Sequence, residues 1–333
     1  MKHVFVFDPK AFHNQQWKMD GILDNIGQFF RTQDKPDFSI QISRYRRNAI
    51  AIIQEEASKS RENDIVRIYA VGGEELLYDC VNGVAYFDNM ELAAVPYGES
   101  NDFYSIFGEG KTDLFRDIPS VVKSESIPTD IIKWGINYAL NSCYIGFNSV
   151  TSLRLKKFKM GLNNSGFIVF SKLSAFFNYI ALAFNNDITN QEYKITIDDK
   201  DYSGNYSLIH VANGPYYNGK KTGAYSALPN DGFLDITLIK SADPLKTMWA
   251  LGRYSGGKRP SNCVFLQGEK ISVSSEKQMW IQLDNEYFQD TSIDLSIVPK
   301  AVNIVAVDNL SYPADPQKNL RPAEDISASI PEI

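Results

Sequence analysis

The chain is poor in cysteine: Cys80, Cys143 and Cys263 are its only three, an odd number in no paired spacing. That excludes a disulfide framework and a cysteine-based zinc site, and it fits a reducing cytosol. Histidine is as sparse. His3, His13 and His210 lie far apart, which argues against a histidine-ligated metal. A basic excess is missing as well. The formal net charge is −6, so broad nucleic-acid binding, which needs a basic face, is not expected. No stretch supplies the ~20 uninterrupted apolar residues of a membrane span. The most lipid-like segment, residues 167–184, is broken by Ser171, Lys172, Ser174 and Asn178. It reads as a core helix, with a membrane-touching face as the alternative. The opening residues 1–9 hold too short an apolar run for a signal peptide and read as a first strand.

What is present suits a large, β-rich core. The 333 residues are 44% hydrophobic and 13% aromatic, enough for two domains. Residues 1–125 alternate strand and helix. Strands are expected at 4–7, 38–42, 65–70 and 92–95, and helices at 15–30, 47–59 and 76–83, the last closed by Asn82-Gly83. This order implies a doubly wound α/β domain with a parallel sheet. Its ligand site is expected after the carboxyl ends of the strands.

The pattern changes near Ser120. Paired strands at 129–134 and 136–145 and helical segments at 153–160 and 167–184 lead into short β-type runs. Those runs lie between 193 and 307 and are separated by Gly, Asn and Asp turns. Residues 126–308 therefore read as an antiparallel β-sandwich domain with one internal helix at 244–254. Residues 309–333, with Pro313, Pro316, Pro322 and Pro331, read as an irregular tail.

The chain is organised around Val71-Gly72-Gly73-Glu74-Glu75-Leu76-Leu77. A strand that ends in paired glycines and opens a helix is a phosphate-binding arrangement, because the helix N-terminus offers free N–H groups. Here Glu74 and Glu75 stand where phosphate oxygens would approach. At ~4 Å and an effective dielectric of ~20, one such repulsion costs about 4 kcal/mol.

Several separated stretches together resemble the soluble bacterial diacylglycerol kinase family of lipid kinases. That family's opening N-P-x-S-G is Asp8-Pro9-Lys10-Ala11-Phe12, and its threonine ahead of a helix alanine is Ser43 before Ala49. Its G-G-D-G-T-L-N-E loop is Gly72-Gly73-Glu74-Glu75-Leu76-Leu77-Tyr78-Asp79, with Asn82-Gly83 in register. Its P-x-G-T-x-N-D-F is Pro96-Tyr97-Gly98-Glu99-Ser100-Asn101-Asp102-Phe103. Its A-P-x-A-x-x-D-D-G turn is Ala224 to Gly232, and its D-G-E is Asp284-Asn285-Glu286.

The resemblance implies an ATP- and Mg²⁺-dependent lipid kinase, diacylglycerol being the simplest acceptor, with the reaction in a cleft between the domains. It implies a nucleotide site at Asp8, Pro9, Ser43, Gly72, Gly73, Glu74, Glu75, Gly98, Glu99 and Asn101. Glu74 and Asp102 would serve the metal and phosphate region. Glu286 would be the general base. A structural magnesium would sit on Asp231 and the carbonyls of Leu228 and Phe233. Taken without the family, Asn101-Asp102 is a helix N-cap, Asp231-Gly232 a plain turn and Glu286 a solvated strand end. Asn285 in the family's glycine position is expected to tolerate positive φ. The lipid would be met by peripheral contact at the inner membrane face, with no nucleic-acid partner and with room for a homodimer. A second reading follows from Phe12, Glu75, Leu76 and Glu99, which replace nucleotide-cradling residues. It is a catalytically impaired pseudokinase that binds a lipid or a partner.

Overall fold

The computed structural model describes residues 1–12, 15–33, 37–61, 64–98, 102–108, 110–162 and 180–313. They form two compact units. Unit 1 comprises Met1–Asn141, Leu228–Gly232 and Val298–Ala314; unit 2 comprises Ser142–Ala227 and Phe233–Ile297. Residues 314–333 of the expected tail and residues 167–179 of the expected second helix lie outside the described residues.

In unit 1, strands β1 (Lys2–Phe7), β2 (Phe38–Ile42), β3 (Val66–Gly72) and β4 (Met90–Pro96) pair in parallel in the order β2-β1-β3-β4. Helices α1 (Gln16–Arg31), α2 (Asn48–Lys59) and α3 (Glu74–Val84) make the crossovers. Every residue of β3 is buried, as a strand covered on both faces must be. Phe5 and Tyr69 stack at 4.1 Å between β1 and β3. Arg67 is the costly member of this core. Its guanidinium meets Glu91 at 2.7 Å and donates to the carbonyls of Val121 and Val122, so its donors are satisfied in place. Val121 and Val122 lie in the last turn of helix α4 (Ile118–Lys123).

Asn82 and Gly83 do not close α3. Both are buried inside it, and the helix runs on to Val84. A Cβ on Gly83 would stand 2.7 Å from Ile53 Cδ1, so glycine is there to let α2 approach α3. The Asn82 side chain donates to Tyr138 O at 2.8 Å and accepts from Tyr138 N at 2.9 Å. Tyr138 belongs to the hairpin of β5 (Ser126–Trp134) and β6 (Asn137–Ala139). That clasp helps to hold the hairpin in unit 1, which continues past residue 125 to Asn141.

Unit 2 is β-rich and antiparallel. Its strands are β7 (Ser142–Gly146), β8 (Gln191–Ile197), β9 (Gly204–Ala212), β10 (Leu234–Lys240), β11 (Cys263–Gly268), β12 (Lys270–Leu283) and the start of β13 (Glu286–Val305). They run β11-β10-β9-β7-β12-β13. The strand β8 pairs with the first residues of β9 and with Ile271–Ser274 of β12, while β7 takes the other end of each. Register shifts fall between Tyr206 and Leu208 and between Ser274 and Met279. Such shifts bend a strand and let one long strand serve two neighbours. Helices α5 (Phe147–Leu162) and α6 (Pro244–Ser255) cover this sheet, packing Phe147, Ala250, Leu251 and Tyr254 on Tyr144, Leu208 and Ile239. The expected helix at 153–160 thus starts at Phe147, directly after β7.

Candidate functional site

The parallel register levels the carboxyl ends of the unit 1 strands. Phe7 lies opposite Ile42 and Val71, and Gly72 lies opposite Pro96. Each strand is extended by one more backbone bond: Asp8 N to Val71 O, Ser43 N to Phe7 O and Tyr97 N to Gly72 O, at 3.1, 2.8 and 2.8 Å. Asp8, Ser43, Gly73 and Gly98 therefore share one edge.

Neither glycine there holds an unusual backbone, and only Gly72 is needed for close packing. Gly73 has φ −97°, open to any residue. A Cβ on Gly72 would come within 3.0 Å of both Asp8 Cβ and Leu76 Cδ2, and one on Gly73 would rest 3.5 Å from Gly98 Cα. Leu76, in the family's threonine position, is buried against Gly72. It fills a hydroxyl's place with hydrocarbon. Phe12, in a glycine position, is likewise buried, with its ring 5.0 Å from that of Tyr97.

Glu74 and Asp102 come together. Glu74 Oε1 accepts the Asp102 N–H at 2.8 Å. Asp102 is buried and precedes the 3₁₀ turn Phe103–Phe107, but its side chain makes no capping bond to that turn. Glu99 and Asn101 lie outside the described residues.

Glu75 is exposed in the first turn of α3, where a carboxylate suits the helix dipole. Its charge reaches two neighbours. Burial raises the Asp8 carboxyl above its ordinary range; the Lys10 N–H, 3.0 Å away, pulls it back, and Glu75 pushes it up further. Burial raises Asp79 too. The Arg47 amide and the Arg47 and Arg46 charges lower it, and Glu75 again opposes them. The Arg47 N–H donates to Asp79 Oδ2 at 2.7 Å, and its guanidinium lies 4.8 Å from the Tyr78 ring.

The arginines are the feature that motif reading missed. Arg44-Tyr45-Arg46-Arg47 follows Ser43 at the end of β2, with Arg44 and Arg46 exposed. Arg47 holds φ 66°, and its backbone bond to Asp79 keeps it there. The charge run was visible in the sequence. Its neighbours were not, because Asp79 is 32 residues away. A second basic flank lies beyond Tyr97. There a groove of about 490 Å³ is lined by Phe12, Trp17, Lys18, Tyr97 and Arg116 among others. Arg116 donates to Pro96 O at 2.7 Å and lies 5.1 Å from the Tyr97 ring.

The expected metal turn has an organiser that the sequence did not suggest. Asp130 is buried, and its carboxylate accepts the Gly232 and Lys300 amides at 2.8 and 2.7 Å, while its own N–H donates to Pro229 O. Asp231 is half-buried beside Gly232, which has φ 82°. No group of three His, Cys, Asp or Glu side chains suited to a metal occurs among the described residues. A cation here would rest on one carboxylate and the Leu228 and Phe233 carbonyls, an oxygen set suited to a hard ion.

In unit 2, Glu286 opens β13 opposite Leu283 across the two-residue turn Asp284-Asn285. It is buried, at 6% exposure, not at a solvated strand end. The left-handed residue is Asp284 (φ 47°), not Asn285. Asp284 sits in the turn rather than on the strand, and it exchanges bonds with Ser142: its Oδ1 accepts the Ser142 N–H, and its N–H donates to Ser142 O, both at 2.8 Å. Lys156 on α5 donates to Asn285 O at 3.3 Å and lies 5.5 Å from the Tyr287 ring. Tyr217 bonds Ser152 and Gln282 nearby. Lys156 and Tyr217 come from distant chain segments, and no local motif marks them.

Residues 163–306 match the YegS C-terminal NAD kinase beta sandwich-like domain. A Staphylococcus aureus (strain Newman) protein that carries the provisional name lipid kinase is 26% identical over 305 residues, covering 90% of this chain and 97% of its own. A Bacillus anthracis str. Sterne crystal structure provisionally described as a diacylglycerol kinase superposes with a TM-score of 0.70 at 22% identity, covering 93% of this chain and 96% of its own. A second from the same organism, described as a diacylglycerol kinase, gives 0.67 at 20%, covering 93% and 98%. The chain therefore resembles the bacterial diacylglycerol kinase-like proteins over nearly its whole length and shares their fold.

Proposed function

We propose that this chain is an ATP-dependent lipid kinase that transfers the γ-phosphate to a lipid hydroxyl, diacylglycerol to phosphatidic acid in the simplest case. The observation that carries this reading is the unit 1 strand edge. It joins Asp8, Ser43, Gly72, Gly73 and Gly98 on one level, adds Glu74 bound to Asp102, and is flanked by Arg44, Arg46 and Arg47. Phosphoryl transfer asks mainly for positioning and charge neutralisation, and arginine forks bind phosphate oxygens well. The likeness to proteins named as lipid kinases supports the acceptor class.

In this scheme the acceptor oxygen forms a bond to the γ-phosphorus as the bond to the bridging oxygen breaks, ADP leaves, and the hydroxyl proton passes to the Glu286 carboxylate. Glu74 and Asp102 would hold Mg²⁺, which when bound would offset phosphate charge; the turn at Asp231 would hold a structural ion. The arginines orient the triphosphate and balance Glu75. The protein works from the cytoplasmic side of the membrane by peripheral contact. No described helix is long and apolar enough to cross a bilayer.

The buried Leu76 and Phe12 favour a second reading, a fold that has lost nucleotide and binds lipid or a partner. Calorimetry with Mg-ATP separates the two. Absence of binding at millimolar ATP overturns the kinase. With binding established, transfer of labelled phosphate to extracted lipids should vanish in Glu286→Gln while ATP affinity stays. Full activity in that variant removes Glu286 as the base.

A further inference from the structure

Helix α6 (Pro244–Ser255) has two unlike faces. Thr247, Ala250, Leu251 and Tyr254 are buried, the last three in the unit 2 core. On the other side, Leu245 is 67% and Trp249 56% exposed. They stand four apart, one turn above the other. Exposed leucine and tryptophan side by side on one helical face make an apolar patch of the kind that marks an interaction surface.

The charges beside them indicate the use. Residues 244–260 contain Lys246, Arg253, Lys258 and Arg259 and no carboxylate, in a chain of net charge −6. Two of these cations lie over exposed aromatic rings. The Arg253 guanidinium is 4.8 Å from the Trp249 ring centre, and that of Arg259 is 4.5 Å from Tyr225, itself 44% exposed, and 4.1 Å from Phe265, while it donates to Gly223 O and Ser226 Oγ. Asp243, the helix N-cap, pairs with Lys246 at 3.2 Å, and the buried Asp235 meets Arg259 through Ser226. Apolar anchors on a helix whose segment carries only cations, one of them stacked on Trp249, suit the interface of an anionic bilayer, where rings settle at headgroup depth and cations meet phosphate.

We propose that the outer face of α6 docks unit 2 onto an anionic lipid surface, with Leu245 and Trp249 inserted and Lys246, Arg253, Lys258 and Arg259 on the headgroups. The choice of a bilayer as occupant draws on the lipid-substrate reading above. A second copy of the chain fits poorly. A two-fold contact would set the same four cations against each other, and two large apolar side chains fall far short of the ~800 Å² per partner of a stable interface. A lipid surface supplies the missing negative charge.

Flotation of the full chain with vesicles, without nucleotide, tests this independently of catalysis. Wild type should bind vesicles of equal phosphatidylcholine and phosphatidylglycerol and not phosphatidylcholine alone. Leu245→Glu/Trp249→Glu should bind the mixed vesicles at least about tenfold more weakly, with an unchanged melting temperature because both side chains are exposed. Lys246→Glu/Lys258→Glu should lose the preference for anionic lipid. Equal binding by the Leu245/Trp249 pair, or no vesicle binding by wild type, overturns the proposal. So does a wild-type dimer that the same pair abolishes while vesicle binding is unaffected. Phosphorylation of a water-soluble short-chain diacylglycerol without vesicles reports on the kinase reading alone. It should be equal in wild type and the Leu245/Trp249 pair.

Discussion

Replacing Glu75 by glutamine tests the electrostatics of the strand edge most directly. The Glu75 charge reaches both Asp8 and Asp79, and Arg46 and Arg47 act on Asp79 in the opposite sense. A triphosphate bound on that edge, as proposed above, would meet the same fields. For a solvent-facing pair about 7 Å apart in an effective dielectric of about 40, one charge repels another by about 1 kcal/mol. Over a triphosphate, reduced by salt, the total is about 1–2 kcal/mol, or roughly 5- to 30-fold in affinity. Glu75→Gln should therefore tighten Mg-ATP about tenfold in low salt by titration calorimetry, and less at physiological ionic strength. Arg46→Ala should weaken it by a similar factor. The cost in stability should stay under about 1 kcal/mol, since Glu75 is an exposed residue in the first turn of α3. Unchanged or weaker ATP binding in Glu75→Gln at low salt refutes the reasoning. So does a gain that salt leaves untouched.

Three further outcomes concern the scaffold. Gly83→Ala should destabilise by about 1–2 kcal/mol in urea unfolding, the clash with Ile53 outweighing the helix-propensity gain, and pairing it with Ile53→Ala should recover at least about 1 kcal/mol relative to the sum of the single changes. Asp130→Asn should cost about 2–3 kcal/mol, because an amide cannot accept both the Gly232 and Lys300 N–H groups with a full charge. Burial lowers His210 from 6.5 to about 3 and His3, helped by the Arg67 charge, to about 4. The unfolded chain therefore binds more protons below pH 6.5, and stability present above that pH is lost as pH falls. His210 alone should contribute a slope approaching about 1.4 kcal/mol per pH unit between roughly 6 and 4. Unfolding titrations of wild type and His210→Asn should differ by that slope.

Much of the unit 1 scaffold was legible because local and tertiary preferences agree there. The strand at 38–42 was expected at those bounds, and helices α1 and α2 begin within one residue of expectation. Repeated strand-helix order then dictated parallel pairing. Reading failed where a distant contact overruled a local signal. Asn82-Gly83 has the composition of a helix stop, yet Tyr138 and Ile53 hold both residues inside α3. Asn285 was the better candidate for positive φ, yet Asp284 takes it while exchanging backbone and side-chain bonds with Ser142. At the candidate site, motif spacing identified the strand-end residues but was silent on Arg46, Asp130 and Lys156. Their partners are brought near only by the fold.

The three-segment make-up of unit 1 has a consequence for its birth on the ribosome. Its parallel sheet lacks the final partner of β4 until Asn303 and Ile304 pair with Glu91 and Leu92. Between the emergence of Asn141 and that of Ala314 lie all the described residues of unit 2. At about 5–20 residues per second this interval is roughly 10–35 s. Throughout it the outer edge of β4 is without that closing strand, a template for stray pairing. Nascent chains halted just before Val298 should therefore depend on holding chaperones far more than chains released a few seconds later.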